Sequence, residues 1–120
     1  HLEDASLSAT RFASCDFAHT TFVKASLYSS SSTRCSFRYA NLQGCDLSEA
    51  RFEDCDFSFA NFSGANLRSS RFARCNLEMV DWSDVVLDDS QFESCALSPE
   101  FREHEARVGL IEPVYRPKAV

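Results

Sequence analysis

Six cysteines, three histidines and eighteen carboxylates are the residues of this 120-residue chain whose types could do chemistry. Five of the cysteines, Cys15, Cys35, Cys55, Cys75 and Cys95, stand twenty residues apart, and Cys45 falls midway between two of them. Thiols form disulfides, hold soft metals or act as nucleophiles. A nucleophile needs a base beside it, yet His1, His19 and His104 share no spacing with one another or with a Ser or Cys nucleophile. No Gly-rich phosphate loop and no metal-ligand spacing occurs. No catalytic, cofactor or metal residue is therefore assigned, and the chain reads as a non-enzyme.

The twenty-residue spacing belongs to a larger pattern. Every fifth position from Leu2 to Leu97 is large and apolar, and nineteen of these twenty are Leu, Phe or Trp. Ser32 is the exception, and the register resumes at Phe37 without an insertion. Neither a helix of period 3.6 nor a strand of period 2 produces a period of five. A short repeat of this kind implies a solenoid, in which near-identical turns share one core. Two residues before each large side chain lies a small one, and between them a polar residue that is often Asp or Asn. The stretches 40–44 (AlaAsnLeuGlnGly) and 60–64 (AlaAsnPheSerGly) are the cleanest copies.

In this unit the chain resembles the pentapeptide-repeat family, whose repeat is A(D/N)LXX. The resemblance implies an all-β solenoid, a right-handed quadrilateral parallel β-helix of about five coils over 1–97. Four pentapeptides would make each square coil. The large residue (i) and the small one (i−2) would point inward, and i−1, i+1 and i+2 outward.

All six cysteines then occupy the small inward position. Successive members of the ladder would lie about 4.8 Å apart, farther than the Cβ separation of about 3.8 Å that disulfides prefer. They are expected as unbridged, buried thiols acting as small apolar fillers, with a thiolate ladder for a soft metal as the alternative. Reduced thiols suit a cytoplasmic protein. No apolar run is long enough to span a membrane and no signal segment is apparent.

Outward residues sort by face. The first face (Leu2, Phe22, Leu42, Phe62, Trp82) and the second (Leu7, Leu27, Leu47, Leu67, Leu87) carry the densest acidic patch, Asp81, Asp84, Asp88 and Asp89. The third (Phe12, Ser32, Phe52, Phe72, Phe92) gathers Arg11, Arg34, Arg51, Arg71 and Arg74, half of the chain's ten arginines, although net charge is −6. This is either a solvated face or a strip for an anion or acidic partner. The fourth (Phe17, Phe37, Phe57, Leu77, Leu97) sets His19, Tyr39, Phe59 and Met79 in one outward column. An apolar strip of this kind marks a contact with a second subunit, a partner protein or the chain's own tail.

The period ends at Ser98. Ser98-Pro99-Glu100 has the form of a helix start, and Phe101, His104, Val108 and Ile111 follow at helical spacing. A short capping helix over roughly 99–109 is expected within a terminal segment 98–120, followed by an extended or mobile stretch. The expected function is a non-catalytic protein-interaction or scaffold module. The alternative comes from the resemblance: some members mimic DNA and bind DNA gyrase or topoisomerase IV, protecting them from inhibitors. A type II topoisomerase, an unidentified protein and a second copy of the chain are thus the partners considered. Direct binding of nucleic acid or membrane is not expected.

Overall fold

The computed structural model describes residues 2–101 and 108–111. Strands β1 (Arg11–Ala13), β2 (Ser31–Thr33), β3 (Arg51–Glu53), β4 (Arg71–Ala73) and β6 (Ser90–Glu93) pair in parallel, each with the strand twenty residues on. The short strands β5 (Asn76–Leu77) and β7 (Ala96–Leu97) form the same pairing on the fourth face. Isolated parallel bridges such as Thr21 to Asn41 and Ser26 to Asp46 continue it round the other sides. The chain is a parallel β-solenoid. Its third face has five stacked levels separated by four full turns, slightly fewer turns than the five coils expected.

The five-residue period arises at the corners. Every i+2 residue from Asp4 to Ser94 has a positive φ, between 53° and 68°. Glycine supplies this conformation only at Gly44 and Gly64, and seventeen other side chains adopt it against their intrinsic preference. On three faces a backbone bond closes the turn, as in Ala25 N–H to Phe22 O (2.8 Å) and Ala40 N–H to Phe37 O (2.9 Å). Coil-to-coil bonds such as Phe37 N–H to Asp56 O (2.7 Å) then tie each turn to its neighbour. The polar residue at i−1 has a distinct task. Asp16, Asn41, Asp46, Asp56, Asn61, Asn66, Asn76 and Asp81 each accept the N–H two residues on, at 2.8–3.1 Å. Asp and Asn recur there because their side chains satisfy a corner N–H.

The core is a set of ring columns. Phe17, Phe37 and Phe57 stack on the fourth face, and Phe52, Phe72 and Phe92 on the third. Fifteen of the nineteen large residues are buried, from Phe22 onward. Leu2, Leu7, Phe12 and Phe17 are only half-buried, contrary to the expectation of a fully enclosed series. They belong to the first described coil, which packs against one other coil among the described residues.

The expected capping helix is corrected. Residues 99–101 form one 3₁₀ turn, and Val108–Ile111 is a strand, β8, paired in parallel with β6. Gly109 lies within that strand rather than ending a helix. An open edge of unpaired N–H and C=O groups at β6 is satisfied better by a strand than by a helix. The capping role falls on Phe101, which is buried edge-on against Trp82 and Phe92 with ring centroids at 4.8 and 5.0 Å. The part of the expected helix at 102–107, including His104, lies outside the described residues, as do His1 and 112–120.

Candidate interaction surface

The outward column on the fourth face comes together as the register requires. His19 and Tyr39 stack at 5.0 Å, 7° from parallel, and Tyr39 and Phe59 at 4.8 Å, 6° from parallel. Tyr39, Phe59 and Met79 are 45%, 42% and 58% exposed, so no described residue covers them. Each occupies a positive-φ corner. Bulky side chains are held there by the coil geometry, which projects them away from the rod. Arg38 was not singled out from the sequence, although it directly precedes Tyr39. Its guanidinium lies 5.3 Å from the Tyr39 ring centroid and 5.5 Å from that of Phe59. It also donates to Ser58 Oγ (3.0 Å) and approaches Asp56 at 4.0 Å.

The five arginines of the third face divide. Arg74 donates to both carboxylate oxygens of Asp54, at 2.9 and 3.3 Å, and lies 3.5 Å from Glu53. That partnership, first through its hydrogen bond, lowers the carboxyl pKa of Asp54. Arg34 and Arg74 are corner residues, whereas Arg11, Arg51 and Arg71 share the i−1 column, interrupted by Ser31. Only Arg51 and Arg71 are neighbours in that column.

The acidic patch divides as well. Asp81 is bound into its own corner, accepting from Ser83 N–H (2.9 Å) and Ser83 Oγ (2.6 Å), which hold its pKa below the ordinary value. Asp88 lies 3.5 Å from Arg68. Asp84 and Asp89 stand at exposed corners of two different faces.

The cysteine ladder lies behind the fourth face, at the corner that follows the third. The backbone bond that closes most turns on the other faces is not formed at its five positions among the described residues. There each thiol approaches the carbonyl two residues back, at 3.3–3.5 Å. Cys55, Cys75 and Cys95 also reach the carbonyls of Ser32, Phe52 and Phe72 on the preceding coil. The thiols are thus weak donors at an open corner as well as fillers. All six are unbridged. Hydrogen bonding to Cys55 and Cys95, together with burial, pushes the Cys75 thiol up, and burial raises Cys45 to about 12. Among the described residues no group of three or more His, Cys, Asp or Glu is placed to hold a metal ion, and no helix is long and apolar enough to cross a membrane.

Square coils, inward Phe and Leu columns and a five-residue corner define a repeat protein whose chemistry lies on its outer faces. The sequence pattern described as the pentapeptide repeat region matches residues 5–82 and 25–101, and the chain belongs to the pentapeptide repeat family. Among solved structures, a pentapeptide repeat protein from the Arabidopsis thaliana thylakoid lumen is 23% identical, with a TM-score of 0.71 over 92% of this chain and 74% of that one. The plasmid-mediated fluoroquinolone resistance protein QnrB1 is 15% identical over 97% of this chain and 79% of its own, with a TM-score of 0.49. Among curated proteins no sequence match is found.

Proposed function

We propose that the protein is a non-catalytic interaction module and that the fourth face, centred on Tyr39 and Phe59, is its contact surface. The observation that carries this reading is the exposed aromatic column with Arg38 laid against it. Exposed apolar strips are costly to keep in water, and aromatics with an adjacent arginine are the residue types that dominate protein contacts. A photo-crosslinking amino acid placed at Phe59 in the native cells is expected to yield a discrete protein adduct, while the same group at Ser69 on the second face yields none. Equal labelling from both positions, or none from Phe59, would defeat the reading. An adduct of twice the chain's mass would identify a second copy as the partner.

The DNA-mimic alternative has less support. Four turns of about 4.8 Å per level span about 19 Å, roughly six base pairs of B-form DNA. Of the four acids put forward, Asp81 serves its own turn and Asp88 faces Arg68. A DNA gyrase supercoiling assay at low salt is expected to show no effect of micromolar protein. Inhibition that weakens when Asp84 and Asp89 are changed to Asn would establish the alternative instead.

A further inference from the structure

Arg51 and Arg71 are Cα partners on β3 and β4, so their side chains leave the third face in the same direction one coil apart. Both are exposed, and neither has an ion-pair partner among the described residues. Three other arginines do pair, Arg38 with Asp56, Arg68 with Asp88, and Arg74 with Asp54 and Glu53, whereas Arg34, one coil from Asp54, forms no ion pair among the described residues. Arg74 thereby engages Glu53, the acid two residues from Arg51 on the same strand. The result is two stacked like charges in a chain of net charge −6. Such a pair repels itself until an anion lies between its members.

The two arginines line one groove of ≈ 180 Å³ along the third face, with Gln91 continuing their column. Across the strands the opposite column reads Glu53, Ala73, Glu93. Ala73 leaves a notch where both neighbours carry a long side chain. We propose that this groove binds a compact oxyanion, a carboxylate or a phosphate group, held between the guanidinium groups of Arg51 and Arg71 with the Gln91 amide as an additional donor. Guanidinium groups suit this task because their planar N–H forks match oxyanion geometry. Glu53 and Glu93 set the selectivity. They line the same groove as the two arginines, so the site favours a single compact charged group over an extended polyanion lying along the face.

The test uses the arginine Nε–H resonances of the whole protein, titrated separately with inorganic phosphate, with acetate and with a single-stranded oligonucleotide, at constant ionic strength. Saturable shifts at Arg51 and Arg71 are expected with phosphate or acetate, and the more effective of the two identifies the oxyanion. The Arg71→Gln variant is expected to weaken binding at least tenfold, and Arg11→Gln to leave it unchanged. Both substitutions are on the exposed face, and circular dichroism checks that the fold persists. Shifts that never saturate, that appear equally at Arg11 and Arg68, or that survive Arg71→Gln would overturn the proposal. So would tighter binding of the oligonucleotide than of either small anion.

Discussion

Phe37 and Phe57 lie ring on ring, 4.7 Å between centroids and 5° from parallel, inside adjacent coils. Phe57 also meets Phe52, Phe62 and Phe72 from the sides, at 5.0–5.6 Å. One ring thus links three faces and three levels. Phe57→Ala is expected to cost about 3–5 kcal/mol in urea unfolding, the range for a fully buried Phe. Phe12→Ala, on the half-buried first coil, is expected to cost clearly less. Equal costs would mean that the first coil is as well packed as the interior.

Ser32 occupies the place of a ring between Phe12 and Phe52 in the third-face column. Its hydroxyl and that of Ser30 are buried without hydrogen-bond partners among the described residues. Ser70 and Ser90, at the same register as Ser30, donate instead to Leu67 O and Leu87 O at 2.7 and 2.6 Å. Ser32→Phe should restore the column and raise stability by about 0.5–2 kcal/mol, as cavity-filling changes do. A loss of stability would show that the coil has closed around the serine.

The thiols should react in two classes. Cys15 is half-buried and the other five are buried. At pH 8, with no denaturant, a chromogenic disulfide reagent is expected to modify Cys15 well before the rest. Cys45, raised to about 12 by burial, should be silent until unfolding. Fast modification of two or more thiols would contradict the inward register.

Acid should loosen the corners. The pKa of Asp81 is lowered by the Ser83 hydroxyl and amide, and that of Asp54 by Arg74. A carboxyl with a depressed folded-state pKa contributes stability above its unfolded pKa and loses it as pH falls through the folded value. The melting temperature is expected to fall as pH drops through and below the ordinary carboxylate range. Asp81→Asn keeps the turn acceptor and removes the titration, so it should flatten that dependence. An unchanged pH profile in Asp81→Asn would rule out Asp81 as a contributor.

The coil was legible in the sequence because its cause is local and repeated. A corner every five residues fixes which side chains point inward, and that placed Tyr39, Phe59 and the cysteines correctly without coordinates. Three things were not legible. The half-exposure of Phe12 and Cys15 follows from their place on the first coil rather than from residue type. The separation of Arg74 from Arg51 and Arg71 depends on where a long side chain swings, which register does not determine. The segment after Ser98 carries helical spacing, but the unpaired edge of β6 recruits Val108–Ile111 as a strand. A demand for hydrogen bonds from elsewhere in the fold overrode the local pattern.

The uniform five-residue corner gives the surface a phase. Deleting one pentapeptide keeps the alternation of large and small inward residues but advances everything downstream by a quarter turn. Met79 would leave the column of Tyr39 and Phe59, although no atom of its own repeat had changed. Inserting twenty residues would restore every face and only lengthen the rod. Which side chains stand beside one another is therefore encoded as a count modulo four repeats. A lineage of such proteins can redraw its outer faces by indels alone, provided that the inner Phe, Leu and Cys columns repack at the new register.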